Sequence, residues 1–112
     1  MSDPSDRRTF ARIPIDVPIF CEIAFPGQSP IATLLKDISR GGVQVALSPG
    51  STTEDMTLGQ QAVVIGLPAK IGIDPGGVAS IVSWLSPERV GLRFNDPLPV
   101  SEEELDAIIA DA

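Results

Sequence analysis

Two short motifs hold the residues best suited to chemistry. Arg7-Arg8-Thr9-Phe10-Ala11-Arg12 carries R-x-x-x-R with one further arginine in front, and Asp37-Ile38-Ser39-Arg40-Gly41-Gly42 carries D-x-S-x-x-G. A guanidinium is a planar fork of donors that matches phosphate oxygens and the O6/N7 edge of guanine. It also stacks on a purine face. The second motif joins an acceptor, a hydroxyl and two glycines. The Asp37 carboxylate complements the N1–H and amino donors on guanine's other edge, and the Ser39 hydroxyl donates or accepts. Gly41 and Gly42 permit positive φ and close approach of backbone to a ligand. Arg40 is a weaker candidate. By residue usage alone, both motifs occur together in about 1% of chains of this length, so the pair carries information that neither motif has alone.

Those motifs need a frame. Residues 1–12 are polar, charged and short of apolar surface, which predicts a flexible arm. From there the pattern is all-β. Strands are expected at Val17–Phe25, Ile31–Lys36, Val43–Leu47, Gln61–Leu67, Ala69–Ile73, Val78–Leu85 and Val90–Phe94, with the segments either side of Pro68 forming one bent strand or two. Phe25-Pro26-Gly27, Asp74-Pro75-Gly76-Gly77 and Ser86-Pro87-Glu88-Arg89 have turn chemistry, and Asp37–Gly42 reads as a loop. Short strands at such spacing predict a small antiparallel barrel or sandwich. Ser101-Glu102-Glu103-Glu104 is a capping box opening a short helix with Leu105, Ile108 and Ile109 on one stripe. So short a helix must dock on the barrel or on a partner.

Composition narrows the function. The 112 residues make one domain, and Cys21, the single cysteine, allows no intrachain disulfide and is expected to behave as a small buried hydrophobe. A cytoplasmic home is expected: no apolar run is long enough to span a membrane, and Met1-Ser2-Asp3-Pro4 does not open a signal peptide. There is no histidine, which removes the commonest general base and metal ligand and argues against an enzyme and against a metal cofactor. A net charge of −7 argues against a nucleic-acid polymer as partner. Five of the 8 basic residues (Arg7, Arg8, Arg12, Lys36, Arg40) nevertheless sit in or beside the two motifs. An acidic protein with one basic spot suits a small anion.

The order RRxxxR, apolar strand, DxSxxG, then Val82-Ser83-Trp84 and Val90-Gly91-Leu92-Arg93-Phe94 resembles the PilZ domain family, over about Arg7 to Asp96. The resemblance implies a six-stranded antiparallel barrel over residues 13–96, between the arm (1–12) and a C-terminal helix within 97–112. It implies a receptor for cyclic di-GMP, a bacterial second messenger; a change of conformation on binding, passed to a downstream effector protein, is the expected mode of action. By position, Arg8 and Arg12 match the first motif, and Asp37, Ser39 and Gly42 the second. Arg7 matches a place where arginine goes with a stacked pair of ligands rather than one. Trp84 is either a core residue or a ligand platform, since alternation alone does not say which face of its strand fills the barrel. Two other classes stay open: an interaction module of this fold that ignores nucleotide, and a small-barrel binder of RNA or single-stranded DNA, which the sparse aromatics disfavour.

Overall fold

The computed structural model describes residues 10–112. Among them are seven strands: β1 (Ile13–Pro14), β2 (Phe20–Ala24), β3 (Ile31–Ser39), β4 (Gly42–Leu47), β5 (Gln61–Ile65), β6 (Val78–Leu85) and β7 (Arg89–Phe94), followed by helix α1 (Glu102–Ala110). Six close into an antiparallel barrel in the order β2-β3-β4-β7-β6-β5 and back to β2. The expected six-stranded barrel is therefore present, and closure leaves no long unpaired edge.

Alternation fills the barrel. Ile23, Leu35, Ile38, Val45, Val64, Val82 and Val90 are buried inside it. Leu98, Leu105 and Ile109 extend the same core, so α1 docks on the barrel by its apolar stripe. Its start is the predicted capping box: Ser101 Oγ accepts the Glu104 N–H at 3.0 Å, and Glu104 Oε1 accepts the Ser101 N–H at 2.8 Å. Cys21 is buried, and burial raises its thiol pKa.

Three expectations need correction. The first long strand begins at Phe20 rather than Val17, because Pro18 cannot donate to a ladder. The chain before it still runs along β3, through Ile15 N–H to Lys36 O (3.0 Å) and Leu35 N–H to Ile19 O (2.8 Å). Ala69–Ile73 is not a strand. After Pro68 the chain makes a 3-10 turn, Ala69–Ile71, ended by Gly72 at φ +82°. Asp37–Gly42 is not a loop either. Asp37 and Ser39 lie in β3 and Gly42 in β4, leaving Arg40–Gly41 as a two-residue hairpin turn.

Candidate functional site

Strand β1 delivers the first motif to the second. It pairs with the end of β3 that β2 leaves free, in the register Ile13↔Ile38 and Pro14↔Asp37. Arg12, immediately before it, therefore emerges beside Asp37. Its Nη1 donates to Asp37 Oδ1 at 3.3 Å, across 25 residues of sequence. Arg7 and Arg8 lie outside the described residues.

Two irregularities in the ladders decide which side chains face outward. Along β3, Thr33 and Leu35 point into the barrel, so strict alternation would bury Asp37 and Ser39 as well. The β3–β4 register shifts between Leu35 and Asp37, leaving Lys36 as the extra residue. Parity then reverses: Ile38 turns inward, and Asp37 and Ser39 turn outward. The same happens in β6. Register shifts between Val82 and Trp84, with Ser83 as the extra residue, so Trp84 leaves the inward face that Val82 occupies. Trp84 is thus an outer-face residue, which settles the question alternation left open.

The result is two adjacent rows on the outer wall. Ser39, Gly42, Arg93 and Ile81 pair across β3, β4, β7 and β6, and so do Asp37, Gln44, Gly91 and Trp84. Two glycines keep the floor low. The Trp84 indole packs against Gly91, where an added Cβ would come within 2.5 Å of the indole nitrogen. A groove of about 840 Å³ runs across this wall, lined among others by Phe10, Arg12, Ser39, Gly42, Trp84 and Arg93. That volume is in the range of ligand clefts. Asp37 stands at its edge, reached through Arg12. Motif reading singled out neither Arg93 nor Phe10. The outward parity of β7, with Arg89 and Arg93 exposed and Val90, Leu92 and Phe94 buried, was the available signal for Arg93.

At the hairpin turn the residues do more structural work than expected. Ser39 Oγ accepts the Gly41 N–H at 3.1 Å and so shapes the turn. Neither Gly41 nor Gly42 has positive φ. Each is glycine because of close approach: a Cβ on Gly42 would collide with the Leu92 carbonyl, and one on Gly41 would come within 2.7 Å of the Phe10 ring. Arg40 does not line the groove. Its guanidinium sits 5.3 Å from the Phe10 ring centroid and donates to Leu98 O at 3.3 Å, while Leu98 N–H donates to Arg40 O at 2.8 Å. It ties the turn to the segment leading into α1. Of the predicted arm 1–12, Phe10, Ala11 and Arg12 are held by such contacts, and residues 1–9 lie outside the described residues.

The electrostatics centre on Asp37. Burial raises its carboxyl pKa above the ordinary value, and the cations of Arg12 and Arg89 pull it back only in part. Arg89 is held in place by Gln44 Oε1, which accepts its Nη1 at 3.1 Å. One largely buried carboxylate therefore stands beside Arg12 and Arg89, with Arg93 in the next row, on a wall that ends in an aromatic plate. Such a wall offers cationic forks, one strong acceptor and a stacking surface.

No curated protein matches the sequence. Among solved structures, the PilZ domain of YcgR from Escherichia coli with c-di-GMP aligns at a TM-score of 0.65 and 22% identity, over 94% of this chain and 90% of that one. The inhibitor of motility of Bacillus subtilis (MotI/DgrA) aligns at 0.64 and 17%, over 94% of this chain but only 50% of that one, so this chain spans half the length of that protein. The PilZ domain of CeSA from a cellulose-synthesizing bacterium aligns at 0.54 and 14%, over 89% and 91%. These identities show a shared fold. A family model of the PilZ domain matches residues 6–111, nearly the whole chain, and the protein belongs to the PilZ domain family.

Proposed function

We propose that this domain is a non-enzymatic cyclic di-GMP receptor that passes the signal to a downstream protein. The observation that carries the reading is the meeting of Arg12 with Asp37 at 3.3 Å, beside a groove floored by Gly42 and Gly91. A cyclic dinucleotide presents two phosphates and two guanines, and each has a counterpart here. Arg12, with Arg8 and Arg7 preceding it in sequence, clamps phosphate oxygens or the O6/N7 edge. Asp37 exchanges its Arg12 partner for the N1–H and amino donors of guanine. Trp84 gives a purine a flat apolar face, and Arg93 adds a cation to the same wall. Ser39, Gly41 and Gly42 hold the turn in the shape that leaves the groove open. Binding moves Arg12 from Asp37 onto the ligand and engages Arg7 and Arg8, and the surface shown to an effector changes because the ligand binds that arrangement more tightly.

Two of the structural neighbours support this reading: the YcgR PilZ domain and YcgR itself were each solved with c-di-GMP. Isothermal calorimetry with cyclic di-GMP, against cyclic di-AMP as control, tests it. Saturable binding of cyclic di-GMP is expected, with much weaker binding of cyclic di-AMP, which presents an amino group in place of O6 and lacks the N2 donors. No heat with either nucleotide, in protein whose fold is intact by circular dichroism, refutes the receptor role and favours a nucleotide-independent interaction module.

A further inference from the structure

Residues 10–12 are held from three directions. Phe10 lies on Gly41 beside the Arg40 guanidinium, and Arg12 pairs with Asp37. Between them, the Ala11 N–H donates to Glu102 Oε2 at 3.0 Å, across 91 residues of sequence. Glu102 opens α1, and two features fix the position of that helix start: the Ser101–Glu104 capping box and the buried Leu105 one turn on. The acceptor thus stands on a rigid element, whereas the donor lies between the two residues that line the groove. A carboxylate in the first turn of a helix is already favoured by the helix dipole. Its bond to a distant backbone is a separate contribution.

We propose that Glu102 is a positioning residue of the nucleotide site. By holding the Ala11 N–H it sets the direction in which Arg12 leaves the chain, so part of the cost of ordering these residues is met before the ligand arrives. Glu102 itself touches no ligand in this scheme. The proposal rests on reading the groove as a cyclic di-GMP site.

Glu102→Ala and Glu102→Gln separate the bond from the helix electrostatics. Both remove the charge from the first turn of α1, but only glutamine keeps an acceptor. Two quantities are read on the full chain: hydrogen exchange of the Ala11 amide in the free protein, and affinity for cyclic di-GMP by calorimetry. The Ala11 amide is expected to be protected in wild type and in Glu102→Gln, and to exchange faster in Glu102→Ala. Affinity is expected to fall roughly two- to tenfold in Glu102→Ala and to return to within about twofold of wild type in Glu102→Gln. In an Ala11→Pro background, which lacks the donor, Glu102→Ala is expected to be silent. Equal weakening by alanine and glutamine, or unchanged affinity in Glu102→Ala when wild type binds, overturns the proposal. A wild-type protein that shows the Glu102-dependent protection yet ignores cyclic di-GMP overturns the receptor reading instead.

Discussion

Replacing Asp37 with asparagine should separate binding from stability. The carboxylate is an acceptor only, whereas the amide that replaces it carries two donors and faces guanine's own donors. An unmatched polar pair of this kind costs about 1–3 kcal/mol, or roughly five- to 150-fold in affinity. The fold should not suffer in proportion. The bond lost within the protein is the pair with Arg12, whose side chain is 63% exposed, and such pairs are worth about 0–1 kcal/mol. Against that loss, burial already raises the Asp37 pKa despite the neighbouring cations, so holding the group ionised costs stability at neutral pH. Asparagine removes that cost, and the melting temperature should stay level or rise by a few degrees. The sign in pH follows from the same shift. Guanine's donors favour the carboxylate, so the ligand lowers this pKa and its binding releases a proton. Affinity should therefore weaken as pH falls through the raised value of the free protein, by up to about tenfold per pH unit, and that part of the slope should vanish in Asp37→Asn. Calorimetry from neutral to acid pH, in buffers of different ionisation enthalpy, measures affinity and proton release together. Wild-type affinity that strengthens on acidification, or an asparagine variant that binds as tightly as wild type at neutral pH, would refute the reasoning.

Three further expectations concern the arginines and the glycines. Arg12→Ala removes a charge-assisted contact and should weaken cyclic di-GMP binding by about 2 kcal/mol or more, near thirtyfold by calorimetry, with an unchanged melting temperature; Arg8→Ala should do the same if it clamps the other phosphate. Wild type is expected to bind two cyclic di-GMP per chain and Arg7→Leu to shift toward one, because two stacked ligands would bring four phosphates together and need cations beyond Arg8 and Arg12; a wild-type stoichiometry of one at saturating ligand would contradict this. Gly42→Ala should destabilise the fold by about 1–3 kcal/mol, since its Cβ meets the fixed Leu92 carbonyl, whereas Gly41→Ala meets only the Phe10 ring, which can turn away. Thermal melts should show the first loss and not the second, and Gly41→Ala should instead loosen ligand binding through Phe10.

Much of this architecture is written in local pattern. Alternation in Val43–Leu47 and Val90–Phe94, the turn at Asp74–Gly77 and the Ser101–Glu104 box each belong to one stretch of chain and appear where expected. Other features depend on pairing partners that one stretch does not reveal. Pro68 and Gly72 turn an apolar segment with strand-like composition into a 3-10 turn that packs near α1. Ser39 and Arg40 look like ligand contacts in the motif, yet their bonds to Gly41 and Leu98 are a matter of tertiary neighbours. The meeting of Arg12 with Asp37 depends on β1 pairing with the end of β3, and nothing in a two-residue strand announces its partner.

The two extra residues, Lys36 and Ser83, explain why the motif residues could be named from the sequence while the surface they share could not. Each leaves a trace, because the inward apolar positions step by three instead of two: Leu35 to Ile38 in β3, and Val82 to Leu85 in β6. A strand that kept strict alternation through Asp37 would bury a carboxylate against Val43 and Leu92, at a cost of several kcal/mol. The side-chain pattern of β3 is therefore compatible with the barrel only if parity reverses before Asp37. That reversal, repeated in β6, turns Asp37, Ser39 and Trp84 onto one wall. The bulges are thus the physical link between the core and the site. The same inward-facing residues that close the barrel force the acceptor and the aromatic plate outward, where Arg12 and Arg93 complete a surface suited to an anionic purine ligand.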